Sequence, residues 1–82
     1  MSEKEIFDKL LVILKDVKDD ESFDYSTITE STNFLTELGL DSISLLYMVM
    51  SIQNEFGIKI KNEELMKMSL VSDLISYIKN AK

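Results

Sequence analysis

The sequence predicts an all-α fold: a small four-helix bundle of three longer helices and one short helix, with a long first loop. Two observations favour it. Three stretches, 6–17, 45–56 and 71–78, repeat apolar residues at intervals of three and four, as amphipathic helices do. Residue types that commonly start helices stand before them. Eighty-two residues suffice for one small domain, which we assign to residues 1–82.

The first predicted helix runs from about residue 3 to residue 17. Ser2 and Glu5 have the spacing of a capping box, in which two side chains satisfy backbone N–H groups at a helix start. Apolar residues recur at helical spacing from Ile6 to Val17, with acidic residues near the start and lysines near the end.

Residues 18–40 show no sustained periodicity and are predicted to form the long loop. A loop of this length is usually functional or contains a short helix. The acidic run from Asp16 does not fit a calcium-binding loop, because Lys18 and Glu21 stand where an oxygen ligand and a glycine are needed. Five apolar side chains are expected to hold the loop against the core: Phe23, Ile28, Phe34, Leu35 and Leu38.

The second predicted helix runs from about residue 42 to residue 56 and ends at Gly57, in the position that favours glycine after a helix. At about 100° per residue it is apolar on two sides. One side is predicted to face the core: Leu45, Met48, Val49, Ile52 and Phe56.

The other side, which we call the second stripe, descends from Ser42 and is a candidate partner surface. The amide side chains of Gln53 and Asn54 on this side of the helix indicate that it is partly in contact with water. The alternative is that the bundle buries most of both sides. The second stripe consists of Ile43, Leu46, Tyr47, Met50, Gln53 and Asn54.

The last quarter of the chain predicts two more helices. Asn62 is expected to cap a short third helix, and Ser69 is expected to cap the last one. Four apolar residues of the last helix follow the amphipathic spacing: Val71, Leu74, Ile75 and Ile78.

The composition narrows the classes of function. The chain has no cysteine and no histidine, which excludes disulfides and thiolate metal sites and removes the commonest general base. The net charge of -6 argues against nucleic-acid binding and favours basic partners. No stretch is long enough to span a membrane, and no targeting signal is evident. We therefore expect a cytoplasmic protein without membrane insertion, and we expect a monomer.

The chain turns from the long loop into the second helix at residues 38–44. Gly39 can adopt a positive φ, which permits a sharp turn. Asp41 is a preferred N-cap type, so its carboxylate can accept an N–H of the first helical turn. Ser42 then begins the helix beside the cap, with its hydroxyl outward. The positive end of the helix dipole there favours a serine that carries a phosphodiester.

Residues 39–43 (Gly-Leu-Asp-Ser-Ile) resemble the attachment motif of acyl carrier proteins, in which G-x-D-S is followed by Leu, Ile or Met. The resemblance covers nearly the whole chain. It includes Phe34 eight residues before the serine, the helix end at 55–57, and the segments 58–64 and 71–78.

This resemblance implies a carrier that is not an enzyme and has no metal site of its own. A phosphopantetheinyl transferase, using coenzyme A and Mg²⁺, would attach 4′-phosphopantetheine covalently to Ser42, beside Asp41 and Gly39. The thiol of that arm would hold acyl groups as thioesters for acyl-loading, acyl-transfer and condensing enzymes. The residues themselves agree, because Ser42 has no histidine to activate it as a catalytic nucleophile.

The second helix departs from the common fatty-acid carriers of this family, which usually have acidic residues along it. Only Asp41 and Glu55 are acidic in and beside this helix. The departure favours a specialised fatty-acid or polyketide-like pathway over primary fatty-acid synthesis. The matching positions hold neutral residues: Ser44, Tyr47, Gln53 and Asn54.

Two other functions stay open. A peptidyl or aminoacyl carrier would share the fold, the serine and the arm, although the acidic balance favours acyl cargo. An unmodified helical interaction module would bind partners through the second stripe and never carry an arm.

Overall fold

A computed structural model describes residues 2–81, so Met1 and Lys82 of the assigned domain lie outside the described residues. The elements in chain order are α1 (Glu3–Lys18), the 3₁₀ helix η1 (Tyr25–Thr27), α2 (Ser42–Phe56), α3 (Asn62–Leu65) and α4 (Val71–Asn80). No strand forms among residues 2–81. The predicted bundle of three longer helices and one short helix is confirmed. None of the described helices combines the length and apolar character of a membrane-spanning helix.

α1 begins with the predicted capping box. The Glu5 N–H donates to Ser2 Oγ at 3.2 Å, and the Ser2 N–H donates to Glu5 Oε1 at 3.3 Å. The helix ends one residue later than predicted, where Asp19 takes the left-handed conformation with a φ of 47°. Its N–H donates to the Lys15 carbonyl, which satisfies one of the last carbonyls of the helix.

The core lies between the three longer helices, with α1 packed against both α2 and α4. The side of α2 predicted to face the core does so: Met48, Val49 and Ile52 are buried, and Leu45 and Phe56 pack against the core at its edge. α1 and α4 contribute four buried side chains each: Ile6, Leu10, Ile13 and Leu14 from α1, and Val71, Leu74, Ile75 and Ile78 from α4.

The long loop is held against this core by Ile28, Phe34 and Leu38, which are buried, while Phe23 packs at the edge. The prediction for Leu35 is wrong, because its side chain is 37% exposed. Residues 33–37 form a turn, and neighbouring side chains in a turn point in different directions. Phe34 takes the core side and is fully buried, so Leu35 is left at the surface.

Backbone hydrogen bonds join the long loop to the start of α4. The Phe34 N–H donates to the Ser69 carbonyl at 2.9 Å. In return, the Val71 and Ser72 N–H groups donate to the Thr32 and Glu30 carbonyls, both at 2.9 Å. The first N–H groups of a helix lack partners within it. The loop therefore supplies the acceptors that the start of α4 needs.

The two predicted caps near the end of the chain are wrong. The N-cap of α3 is Lys61, without a side-chain hydrogen bond, and Asn62 is already helical. The N-cap of α4 is Leu70 rather than Ser69. Asp73, inside α4, accepts the N–H groups of both Ser69 and Leu70 at 3.0 Å. Since Asp73 and the loop carbonyls satisfy this helix start, a serine cap is not needed.

Phe34→Ala should destabilise the fold strongly, because it removes a fully buried ring from the junction of loop and core. We expect a loss of about 3–5 kcal/mol in the free energy of unfolding, measured by urea denaturation followed by circular dichroism. Leu35→Ala is the matched control and should cost roughly 1 kcal/mol or less, since its side chain is partly in water already. Similar losses in both variants would contradict this account of the loop.

Candidate functional site

The chain turns sharply at Gly39, between a buried residue and an exposed helix start. Leu38 is buried in the core, and Gly39 has a φ of +62°, which confirms the predicted positive φ. A Cβ on Gly39 would meet no atom within 4 Å. Glycine is therefore favoured here by the backbone conformation alone, because other residues rarely adopt it.

Asp41 caps α2 as predicted. Its Oδ1 accepts the Ser44 N–H at 2.8 Å, and its carbonyl accepts the Leu45 N–H at 2.9 Å. The hydrogen bonds from the Ser44 N–H and then the Ser44 hydroxyl lower the pKa of the Asp41 carboxyl below its ordinary value of 3.8. The carboxylate is thus ionised at neutral pH and committed to the start of the helix.

Ser42 is the first residue of α2, and its side chain is exposed to solvent. The hydroxyl lies at the positive end of the α2 dipole, where a phosphate ester is favoured. The chemistry of this position fits covalent attachment of a phosphopantetheine arm, since an exposed hydroxyl needs no cavity to accept one. Among residues 2–81, no cluster of three or more acidic, histidine or cysteine side chains could hold a metal ion.

Two side chains organise the loop before Ser42 and were not singled out from the sequence. Asn33 Oδ1 accepts the N–H groups of Leu35 and Thr36 at 2.9 and 3.1 Å, which shapes the turn that contains Phe34. Lys18 Nζ, at the end of α1, donates to the Leu38 carbonyl at 2.8 Å. The asparagine could have been found as a turn-forming type. The lysine contact spans twenty residues and left no local signal.

The second stripe lies mostly in solvent. Ile43 is 79% exposed, and Leu46, Tyr47 and Met50 are 57–59% exposed, so the bundle does not bury both sides of α2. Asn54 is exposed as well. Gln53 differs, because it is half-buried and its Oε1 accepts the Ile60 N–H at 2.9 Å. Its amide therefore ties α2 to the loop that follows.

The two carboxylates at the ends of α2 both have partners. Asp41 accepts the Ser44 N–H, and Glu55 pairs with Lys9 of α1 at 3.3 Å across the surface. Between these two ends, α2 contains no acidic residue. The exposed side of the helix is thus apolar and uncharged, although the chain has a net charge of -6.

A surface groove of about 960 Å³ lies at the other end of α2, away from Ser42. Gly57, Ile58 and Lys59 line one wall, and Tyr77 of α4 lines another. The 15 residues of α2 separate the groove from Ser42 by about 22 Å along the helix axis. The groove is therefore not part of the site at the helix start.

A family model described as "phosphopantetheine attachment site" matches residues 8–78. An acyl carrier protein of Lactobacillus acidophilus is 42% identical over 80 residues, which cover 98% of this chain and 96% of that protein. An acyl carrier protein of Thermotoga maritima is 38% identical over 77 residues, covering 94% of this chain and 91% of that protein.

Two solved structures of acyl carrier proteins superpose on this chain. The crystal structure of an acyl carrier protein from Thermotoga maritima superposes with a TM-score of 0.75 at 33% identity, covering 96% of this chain and 88% of that chain. An acyl carrier protein from Enterococcus faecalis gives a TM-score of 0.74 at 26% identity, with both chains fully covered.

Replacing the α2 cap should destabilise the protein in a pH-dependent way. Asp41→Ala should lower the melting temperature at pH 7 by roughly 4–8 °C, because the Ser44 N–H loses its acceptor. Folding lowers the pKa of the Asp41 carboxyl below its ordinary value of 3.8. The stability that this carboxylate contributes is therefore present above pH 3.8, the unfolded pKa, and is lost as the pH falls through the folded pKa. The two proteins should therefore converge in acid.

Thermal unfolding followed by circular dichroism from pH 7 to pH 2 measures this difference. Glu21→Ala removes an exposed carboxylate of the long loop and serves as the control, with little change expected at any pH. If Asp41→Ala and the unchanged protein melt together at pH 7, the carboxylate does not stabilise the helix start.

Proposed function

The chain belongs to the acyl carrier protein family, and from this membership we propose that Ser42 is the residue that receives 4′-phosphopantetheine. Members of this family are non-catalytic carriers with a covalently attached phosphopantetheine arm. The observation that carries the proposal is the exposed hydroxyl at the first position of α2, next to a cap made by a 2.8 Å hydrogen bond. Ser42 also lies inside the matched range 8–78.

Three residues have separate roles at this site. Gly39 brings the chain out of the core, Asp41 fixes the first turn of α2, and Ser42 presents its Oγ. In the transfer, Ser42 Oγ bonds to the phosphorus next to pantetheine, the pyrophosphate bond of coenzyme A breaks, and adenosine 3′,5′-bisphosphate leaves. A base of the transferase takes the hydroxyl proton. Once attached, the arm supplies a thiol that holds an acyl group as a thioester.

The proposal extends to a carrier in a specialised fatty-acid or polyketide-like pathway, acting in the cytoplasm as a monomeric single domain. Its partners would be a phosphopantetheinyl transferase and the enzymes that load, transfer or condense its acyl group. The uncharged exposed side of α2 supports a specialised pathway, because carriers for primary fatty-acid synthesis usually have carboxylates there. Glu55, the acidic residue that remains within α2, is paired with Lys9.

Incubation with coenzyme A, Mg²⁺ and a broad-specificity transferase should add the mass of one phosphopantetheinyl group to the protein. Ser42→Ala should gain no mass while keeping its helical content. Ser44→Ala removes a hydroxyl from the same turn and should still be modified. Intact-mass spectrometry measures all three. An unmodified natural sequence would support the interaction module instead, and modification of Ser42→Ala would place the arm elsewhere.

Protein isolated from its native cells gives the nature of the cargo, because the mass of the loaded arm identifies what it holds. We expect an acyl group. An amino acid on the arm would contradict the acyl assignment and support the peptidyl or aminoacyl carrier.

We propose that partner enzymes dock on the second stripe mainly through apolar contact, with Tyr47 as an anchor. Interface cores favour aromatic residues and methionine and are depleted in charge. The exposed Ile43, Leu46, Tyr47 and Met50 fit that description. Acidic residues elsewhere on the chain would steer the approach of a basic partner.

Tyr47→Ala should weaken binding of the condensing enzyme that accepts the acyl group by at least about 1 kcal/mol, or about fivefold in Kd. Val12→Ala is the control, because Val12 is an exposed apolar residue on α1. Titrations at two ionic strengths should show only weak salt dependence for the natural sequence. Normal binding by Tyr47→Ala, together with loss of binding in salt, would show that the contact is electrostatic and lies elsewhere.

A further inference from the structure

The Lys18 side chain donates a hydrogen bond to the loop four residues before Ser42, at the turn that leads into α2. Lys18 is the last residue of α1 and is half-buried. Its Nζ donates to the Leu38 carbonyl at 2.8 Å, in a partly buried contact. A hydrogen bond from a charged donor is stronger than one between neutral groups, and partial burial strengthens it further.

The same ammonium group also fixes the start of the long loop. It lies 4.7 Å from the centroid of the Phe23 ring, within the range of a cation–π interaction. Phe23 packs edge-to-face against Tyr25, with ring centroids 5.0 Å apart. Lys18 thus joins three parts of the chain: the end of α1, the first residues of the loop, and the last buried residue before Ser42.

The carbonyl that Lys18 holds belongs to the peptide bond between Leu38 and Gly39. Because a peptide group is planar, fixing its oxygen restricts ψ of Leu38 and φ of Gly39 together. Gly39 needs this restriction most, since glycine populates positive and negative φ about equally. A Cβ there would meet no atom within 4 Å, so close packing around Gly39 does not supply it.

We propose that Lys18 is a positioning residue for Ser42: by holding the Leu38 carbonyl, it keeps the Gly39 turn in the conformation that presents the serine to the transferase. This inference rests on the proposed attachment of the arm at Ser42. Only three residues, 39–41, separate the held carbonyl from Ser42, and Gly39 is the conformationally free one among them.

Removing the ammonium should reduce the fraction of molecules that the transferase can bind. The apparent affinity falls with that fraction, so KM for the carrier should rise while kcat stays the same. Lys18→Met keeps an unbranched apolar side chain and removes the donor. We expect roughly a 3- to 30-fold lower kcat/KM, because the apparent affinity falls in proportion to the fraction of molecules that hold the Gly39 turn in the required conformation. Lys18→Arg retains charge and donors and should restore most of the loss.

Lys15→Met is the matched control. Lys15 lies one turn earlier on α1, is exposed, and places its Nζ 5.7 Å from the centroid of the Tyr25 ring. Its substitution removes the same charge and a similar aromatic contact. Since the Leu38 carbonyl is held by Lys18 and not by Lys15, Lys15→Met should give the kinetics of the natural sequence.

The experiment measures phosphopantetheinylation rates by intact mass at several carrier concentrations, and amide hydrogen exchange at residues 39–42 by nuclear magnetic resonance. Lys18→Met should raise KM and speed exchange at Gly39 and Leu40. Thermal unfolding is followed in parallel. If Lys18→Met is partly unfolded, the osmolyte trimethylamine N-oxide should refold it, and the raised KM must persist in the refolded protein.

Four results would overturn the inference: an unchanged KM in Lys18→Met, an equal change in Lys15→Met, no rescue in Lys18→Arg, or a KM that returns to normal on refolding. In each of these cases, the proposed attachment at Ser42 would still stand if the unchanged protein gains the phosphopantetheinyl group and the Ser42→Ala variant does not. If the natural sequence is not modified at all, the attachment proposal and this inference both fail.

Discussion

The exchange of backbone hydrogen bonds between the long loop and the start of α4 is the constraint on which the rest of the structure depends. Carbonyls at Glu30 and Thr32 accept the first N–H groups of α4, and the Phe34 N–H donates to Ser69 in return. A helix start buried without such partners would be costly. Because the loop is fixed there, Phe34 and Leu38 enter the core, and the chain leaves the core at Gly39 where α2 begins.

Features that depend on neighbouring residues could be predicted from the sequence. The capping box at Ser2 and Glu5, the Asp41 cap and the glycine after α2 each join residues within four positions of one another. The apolar periodicity placed the core side of α2, because a helix carries its own spacing wherever it packs. The same local signals predicted that α2 begins at Ser42, the residue of the candidate site.

Features that depend on residues far apart in the chain could not be predicted from the sequence. The start of α4 is satisfied by carbonyls some forty residues earlier in the chain, so the serine cap that the sequence predicts at Ser69 is not needed. Lys18 reads as an ordinary lysine near a helix end, and only the fold brings it to the Leu38 carbonyl. Phe34 and Leu35 are both apolar, and the orientation of the turn decides which of them is buried.

The exposed side of α2 connects the fold to the proposed function. With α1 packed against one side of α2, this small bundle leaves four large apolar side chains of the second stripe in water. A chain with a net charge of -6 places no carboxylate among them. Ile43 directly follows Ser42, so a partner that docks along the stripe meets the proposed attachment point at the end of the same helix. The rigidity of α2 would then set the distance between docking contact and reacting oxygen.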